Sequence, residues 1–216
     1  MNAPPSVSAV PLAYHDNAFI IANKPAGLLT VPGRGPEKQD CLINRLLLQH
    51  PNSRIVHRLD QPTSGIVIVP QSYQALRHIG QQFEARQVSK RYSAIVAGII
   101  EQDEGSIELP LICDWPNRPR QMVDWANGKA ALTHYRVLAR DTDLQQTRVA
   151  LTPVTGRSHQ LRVHMLELGH PIVGDTLYAP QAVAAASARL LLHAEQIGFS
   201  HPDTAAPFAI ELPAPF

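Results

Sequence analysis

The 216-residue sequence has only two cysteines and no long apolar segment. Cys41 and Cys113 lie far apart, so a dense disulfide framework is excluded and we expect reduced thiols, as in the cytoplasm. No run of about 18 apolar residues is present, which argues against a membrane-spanning helix. The N-terminus lacks a basic stretch followed by an apolar one, which argues against secretion. We therefore expect a cytoplasmic protein with no membrane partner.

The chain also lacks a strong charge of either sign, with a formal net charge of +1. Many nucleic-acid-binding proteins are strongly basic, so the total charge does not favour that function. Phosphate binding needs only a local positive stripe, however, which a balanced total can hide. Hydrophobic residues make up 44% of the chain. This fraction is ample for the core of one domain or of two closely packed subdomains.

Motifs of several common enzyme and metal-binding classes are missing. There is no Gly-rich loop ending in Lys and Ser or Thr, which excludes a P-loop nucleotidase. His57-Arg58-Leu59-Asp60 differs from the kinase catalytic loop, because Leu59 separates the Asp from the His-Arg pair. His159 and His164 are five residues apart, on different faces of a helix, and no cysteine pair accompanies them. We therefore expect no metal site.

Hydrophobic periodicity predicts an α+β fold with a largely antiparallel sheet. Helices are predicted over residues 40–50, 72–86 with Ser72 as N-cap, 158–169 with Ser158 as N-cap, and 182–188. Strands are predicted over residues 18–24, 92–99, 105–109, 121–125, 130–138, 147–152, 190–199 and 208–212, with a strand, turn and strand over 55–69. Residues 1–14 are predicted to be a flexible arm, followed by one domain over 15–216.

The most informative segment runs from Ile55 to Val69. It places Asp60 between two apolar β-branched runs, just before the turn residues Pro62-Thr63-Ser64-Gly65. Turns favour Asp, so one interpretation is a capping Asp60 with Arg58 as its surface partner. The other is a functional carboxylate, whose pKa burial raises and a nearby guanidinium lowers.

This segment resembles the signature of the RluA family of RNA pseudouridine synthases, in which His-Arg-Leu-Asp precedes Thr-Ser-Gly. Ser89-Lys90-Arg91-Tyr92 resembles the family's second motif, a Lys-x-Tyr on a strand. Residues 155–164 resemble the third motif, and residues 174–178 the element that follows it. The likeness extends from about residue 23 to residue 195. Residues 109–119 further resemble the short, dual-specificity branch that acts on 23S rRNA and tRNA.

The resemblance implies an enzyme that isomerises specific uridines to pseudouridine in structured RNA, by base flipping and with Asp60 as nucleophile. Neither a cofactor nor a metal is needed. Arg162 is expected to pair with Asp60, Tyr92 to face the target base, and Arg58 to fill the space that the flipped nucleotide vacates. Whether Asp60 attacks C1′ or C6, or mainly aids departure of uracil, stays open.

The resemblance also implies a fold and substrates. The expected fold is a long mixed sheet in two subdomains around a central cleft, without an accessory RNA-binding domain. The expected RNA partners are the tRNA anticodon stem-loop, at position 32, and a 23S rRNA hairpin, at position 746. A monomer is expected, because one target fills one cleft.

Further RNA contacts are expected from six residues near these motifs, namely Arg118, Arg120, Lys90, Arg157, His159 and Leu161. Arg157 and His159 flank the start of a predicted helix, where free amides favour phosphate. The loop over residues 113–129 interleaves cations with Trp115 and Trp125, which suits unpaired bases. The competing interpretation is that this loop merely tucks both tryptophans into an apolar pocket.

A non-catalytic RNA-binding or RNA-folding protein on the same fold is the alternative function. A pure binder has no use for a nucleophile, so the presence of Asp60, Tyr92 and Arg162 argues against it. Release of tritium from RNA that carries 5-³H-uridine distinguishes the two functions.

Overall fold

The computed structural model describes residues 9–216. Its elements are β1 (Leu12–His15), β2 (Phe19–Lys24), α1 (Leu42–Leu47), β3 (Ser64–Pro70), α2 (Tyr73–Glu84), β4 (Ser89–Ala97), β5 (Glu104–Glu108), β6 (Leu111–Cys113), β7 (Gln121–Val123), β8 (Leu132–Asp141), β9 (Gln146–Pro153), α3 (Gln160–Glu167), α4 (Gln181–Ala185), β10 (Leu192–Ser200) and β11 (Pro207–Glu211). Short 3₁₀ turns lie at Pro36–Lys38 and Trp115–Asn117. Within this range, no helix has the length and apolar character needed to cross a bilayer.

Nine of the strands form one mixed sheet, which confirms the predicted α+β class. The strand order is β1-β2-β3-β10-β4-β9-β8-β5, and β11 pairs with β10. All pairings are antiparallel except that of β3 with β10. The strands β6 and β7 form a separate hairpin. Strand β10, near the C-terminus, thus joins the N-terminal strands to those from the middle of the chain.

The parallel junction between β3 and β10 depends on a glycine. Gly65 lies opposite Ala194 and has a φ of 111°, in the region that favours glycine. A Cβ atom at Gly65 would lie 2.3 Å from the carbonyl oxygen of Ala194. Glycine therefore lets the two halves of the sheet approach closely, immediately after the turn that carries Asp60.

Helix α2 packs against this junction. The Ser72 hydroxyl accepts the backbone N–H of Ala75 at 3.0 Å, as the predicted N-cap requires. Ala75 and Ile79, one helical turn apart, are fully buried, and Ile79 belongs to the same apolar cluster as Ile66 and Ile68 of β3. Burial of each large aliphatic side chain stabilises the fold by about 1.5–3 kcal/mol.

Helix α3 is buried on nearly all sides, since residues 160–165 are all buried. Leu161 and Met165 join the apolar cluster of β4 and β9. The polar residues Arg162 and His164 therefore need partners inside the protein. One ring nitrogen of His164 lies 3.0 Å from the hydroxyl of Thr133. The partners of Arg162 belong to the site described below.

Two predicted features of the site segments are wrong. Residues 55–59 do not form a strand; the Thr30 hydroxyl instead accepts the Leu59 N–H at 3.2 Å and donates to its carbonyl at 2.9 Å. Ser158 does not cap α3, because the N-cap is His159, with a left-handed φ of 53°.

The N-terminal boundary also differs from the prediction of an arm over residues 1–14. Residues 12–15 form β1, which pairs with β2. Residues 1–8 lie outside the described part of the chain. The ordered structure therefore includes residues that the sequence pattern assigned to the arm.

Candidate active site

Asp60 lies in the turn that leads into β3. Its carbonyl oxygen accepts the N–H of Thr63 at 3.1 Å, which closes the turn. Leu59 is buried whereas Arg58 is exposed, so side chains alternate although this segment is not in the sheet. The Asp60 side chain is 27% exposed, which leaves the carboxylate accessible from the cleft.

Lys24, at the end of β2, holds the Asp60 turn in place. Its buried Nζ donates to the carbonyl oxygens of Pro25 at 3.0 Å, Leu28 at 2.6 Å and Gln61 at 3.0 Å. Burial lowers the pKa of Lys24 to about 7, while the Asp60 carboxylate acts to raise it. The sequence pattern gave no reason to single out Lys24, because its acceptors are backbone carbonyls.

Arg162 is the buried cation of the site, and its closest partner is Asp175. Nε and Nη2 of Arg162 donate to the two carboxylate oxygens of Asp175 at 2.7 and 2.6 Å. The third nitrogen, Nη1, lies 3.7 Å from Oδ2 of Asp60. Burial opposes the charge of Arg162, but the Asp175 hydrogen bonds and charge raise its pKa overall. The two hydrogen bonds from Asp175 thus fix the guanidinium of Arg162 in the orientation that places Nη1 near Asp60. Asp175 was not predicted as a partner of Arg162.

His159 approaches Asp60 from a second direction. Its Nε2 lies 3.9 Å from Oδ1 of Asp60, and its Nδ1 lies 2.6 Å from the Tyr178 hydroxyl. That hydroxyl accepts the backbone N–H of Gln121, on β7, at 2.7 Å. Burial lowers the pKa of His159, with Arg162 adding to the effect while Asp60 opposes it. The resulting chain of contacts links the β6–β7 hairpin to Asp60.

Eight of the ten predicted site residues line a single pocket of about 110 Å³, namely Arg58, Asp60, Lys90, Tyr92, Arg157, His159, Leu161 and Arg162. Burial raises the pKa of the Tyr92 phenol, and the negative charge of Asp60 adds to the effect. Burial lowers the pKa of the Lys90 ammonium. The pocket therefore holds a carboxylate, a protonated phenol and several cations around a small space.

Arg118 and Arg120 do not line this pocket. Both lie in the connection between β6 and β7, where the guanidinium of Arg120 is 5.2 Å from the Tyr178 ring. Between them, Pro119 lines a second pocket of about 380 Å³ that also includes Asp60. The hairpin thus borders the other side of the Asp60 carboxylate.

The tryptophans of this hairpin region face outwards. Trp115 is 64% exposed and Trp125 is 76% exposed. The guanidinium of Arg118 lies 4.5 Å from the Trp115 ring centroid, close enough for a cation–π contact. The interpretation that the loop tucks both tryptophans into an apolar pocket is therefore wrong.

Residues 18–167 match the family model of RNA pseudouridylate synthases. The dual-specificity RNA pseudouridine synthase RluA of Yersinia pestis is 49% identical over 203 residues, which cover 94% of this chain and 98% of the relative. The protein of the same name from Escherichia coli strain K12 is 46% identical over 213 residues, or 99% and 97% of the two chains. The chain belongs to the RluA family of RNA pseudouridine synthases. The structure of human RNA Pseudouridylate Synthase Domain Containing 1 matches with a TM-score of 0.83 at 28% identity, covering 100% of this chain and 87% of the human one.

Membership of the RluA family makes the protein an RNA pseudouridine synthase and decides between the two functions left open by the sequence. The catalytic function is supported over the non-catalytic RNA-binding function, since the relatives that match nearly the whole chain are named as synthases. RNA is accordingly the substrate class.

Proposed function

We propose that this pseudouridine synthase has dual specificity, like the relatives named above, and modifies both tRNA and rRNA. The specific targets that we propose are position 32 in the anticodon stem-loop of tRNA and position 746 of 23S rRNA. The identity of 46–49% over almost the full length supports this assignment. The segment over residues 109–119, which resembles the dual-specificity branch, contributes Pro119 to the second pocket beside Asp60 and supports the assignment further.

The observation that carries the proposed mechanism is the position of Asp60 beside Arg162 in the small pocket. Isomerisation breaks the N1–C1′ bond of uridine, rotates the base and joins C1′ to C5; N1 gains a proton and C5 loses one. An ionised Asp60 supplies the carboxylate for a covalent intermediate, at C1′ or at C6. Arg162 and His159 hold that carboxylate in place, and the buried Asp175 holds Arg162.

We assign Tyr92 to the target base and Arg58 to the RNA from which the base is extruded. An aromatic face restores part of the stacking that a flipped base loses, worth about 1–3 kcal/mol. The raised pKa of Tyr92 keeps its phenol protonated at neutral pH. The exposed guanidinium of Arg58 lies at the mouth of the same pocket, where it can stack on bases and contact phosphate.

The remaining predicted contacts surround the pocket. We assign Arg157, His159 and Lys90 to the phosphates and Leu161 to the wall of the base pocket. Arg118 and Arg120 would meet the stem-loop from the hairpin side, beside the exposed tryptophans. We further propose that the catalytic domain predicted over residues 15–216 also includes the rest of β1, from residue 12. We propose that it acts as a monomer in the cytoplasm, where its RNA substrates are found.

The test is to map pseudouridines in RNA from cells that lack this protein and from cells in which it has been restored. Loss of pseudouridine at tRNA position 32 and at rRNA position 746, with recovery in the complemented strain, is the expected result. Complementation with Asp60→Asn should restore neither. Unchanged modification at both positions in the deletion strain would refute the assigned targets.

A further inference from the structure

A second groove opens from the Asp60 pocket between the end of α2 and the residues after β9. It has a volume of about 360 Å³ and is lined by Phe83, Glu84, Arg86, Val88, Lys90, Val154, Thr155, Gly156 and Arg157. Lys90, Thr155, Gly156 and Arg157 also line the Asp60 pocket, so the two spaces share a wall. A ligand that enters the Asp60 pocket therefore has a direct path into this groove.

The groove combines an apolar base with three cations. Phe83 packs on the His57 ring at 4.9 Å between centroids and, with Val88 and Val154, supplies the apolar side. Arg86, Lys90 and Arg157 supply three positive charges, against one negative charge from Glu84. Ribose rings fit an apolar surface, whereas phosphates fit the cations.

The cations of this groove have little to bind within residues 9–216. The side chains of Arg86 and Lys90 make no hydrogen bond or ion pair in that range, although burial lowers the pKa of Lys90. Arg157 donates from Nε to the carbonyl of Ala130 at 3.2 Å, whereas its Nη groups make no hydrogen bond or ion pair with the described residues. Arg86 and Arg157 are exposed and Lys90 is half-buried, so all three cations are accessible to an anion.

Arg86 occupies a backbone position that does not favour arginine. It follows the last turn of α2 with a left-handed φ of 58°. The N–H of Arg86 donates to the carbonyl of Phe83, and the N–H of Gln87 donates to that of Gln82. This is the Schellman pattern, in which the left-handed residue is usually glycine. Helix termination therefore does not explain an arginine here.

We propose that this groove is an RNA-backbone site, in which Arg86, Lys90 and Arg157 bind the phosphodiesters of one strand next to the flipped uridine. The proposal deepens the proposed function and rests on it, because the strand enters from the Asp60 pocket. It assigns Arg86, which lies outside the recognised motifs, to substrate binding. It also fixes the direction in which one flank of the target leaves the active site.

The decisive variant is Arg86→Gly, because glycine fits the left-handed backbone and removes only the side chain. Binding of a fluorescent anticodon stem-loop RNA is measured by anisotropy over a series of salt concentrations. We expect the Kd at low salt to rise about fivefold and the slope of log Kd against log salt to fall by about one in magnitude. Arg86→Lys should restore most of the slope, because it keeps the charge.

The matched control is Arg77→Gln, which removes an arginine charge from the same helix. Arg77 is exposed on α2 and does not line the groove. This variant should bind RNA with the wild-type slope. If Arg86→Gly also keeps the wild-type Kd and slope, the groove is not an RNA site, whether or not the wild type forms pseudouridine.

A second measurement locates the contact on the RNA. Phosphates on each side of the target uridine are replaced one at a time by neutral methylphosphonates. We expect a methylphosphonate on one flank to weaken RNA binding by the wild type about fivefold. The same substitution should not weaken RNA binding by Arg86→Gly any further. Equal losses in both proteins at every position would overturn the proposal. Arg86-dependent binding by a wild type that forms no pseudouridine would support the groove and remove the proposed function.

Discussion

Asp175 is the residue on which the geometry around Asp60 most depends. It is 1% exposed and accepts two hydrogen bonds from Arg162, which is 4% exposed. An ion pair that is so fully desolvated stabilises little relative to an apolar pair, but removal of one partner leaves an uncompensated charge. The ion pair therefore fixes the position of Arg162, but the protein is sensitive to substitution of either Arg162 or Asp175.

We predict that Asp175→Asn lowers the free energy of unfolding by about 3–5 kcal/mol, because Arg162 keeps its charge but loses its buried, hydrogen-bonded carboxylate partner, and the Asp60 carboxylate, 3.7 Å away, does not replace those hydrogen bonds. Urea denaturation at neutral pH measures this change. Asp103→Asn is the matched control, since Asp103 pairs with Arg140 at a similar distance, 2.7 Å, but its side chain is 83% exposed. That variant should lose no more than about 1 kcal/mol. Equal losses in the two variants would contradict the assigned role of burial.

The sequence predicted where Arg162 points but not what holds it. Its position in the helix after Ser158 and the resemblance placed it near Asp60, and the two side chains lie 3.7 Å apart. Asp175 belongs to a recognised element, yet that element carried no assigned role. A buried arginine requires an anionic partner, so the expected placement of Arg162 in the cleft was a reason to look for a second carboxylate.

At the scale of elements, the segment before Asp60 is held by side chains rather than by a strand partner. Nε2 of His57 accepts the backbone N–H of Ile68, in β3, at 2.9 Å. Thr30 binds both backbone groups of Leu59. Burial lowers the pKa of His57 to about 4, and Lys90 adds to the effect. Acceptance of the Ile68 N–H requires the neutral ring, so protonation of His57 breaks this attachment.

This attachment predicts a pH dependence of stability. The pKa of His57 is about 4 in the folded state and about 6.5 in an unfolded chain. Between these values the unfolded state binds more protons, so the free energy of unfolding falls as the pH decreases from about 6.5 to about 4. One such group contributes at most about 1.4 kcal/mol per pH unit. Urea denaturation at several pH values measures the slope.

His57→Gln tests the assignment, because a glutamine oxygen can accept the Ile68 N–H without titrating in this range. Between pH 6.5 and 4, the free energy of unfolding of the variant should depend less steeply on pH than that of the wild type, by up to the contribution of one titrating group. His134→Gln, a substitution at an exposed position on β8, is the control. A wild-type slope in His57→Gln would show that another group accounts for the acid sensitivity.

Local signals predicted some elements well and others poorly. Helix α2 was predicted closely, because its Ser72 cap and the helical spacing of Leu76, Ile79 and Phe83 are both local features. Residues 55–59 carry the β-branched pattern of a strand but have no neighbouring strand. Strand propensity describes a fit to a pleated surface, and the sequence pattern does not contain the neighbour that makes one.

At the scale of the whole molecule, the site combines three distant parts of the chain. Asp60 precedes β3, Tyr92 lies on β4, and Arg162 lies on α3. They meet because β10 inserts between β3 and β4, with Gly65 allowing the close parallel approach. This strand order was not predictable from periodicity alone, whereas the resemblance implied a central cleft.

The same scale explains how a chain of net charge +1 serves an RNA substrate. The cations Arg58, Lys90 and Arg157 converge on the Asp60 pocket, and Arg118 and Arg120 flank Pro119, which lines the neighbouring pocket on the other side of Asp60. A local concentration of positive charge suffices for phosphate binding, so the total charge misleads.

The central claim is that the Asp60 carboxylate performs the chemistry in this cleft. Tritium release from RNA that carries 5-³H-uridine tests it most directly, because C5 loses its hydrogen when the new glycosidic bond forms. Wild-type protein should release tritium from a tRNA anticodon stem-loop, whereas Asp60→Asn should bind the RNA and release none above background. Asp40→Asn, at an exposed position, should behave as the wild type. Tritium release by Asp60→Asn at the wild-type rate would contradict the account.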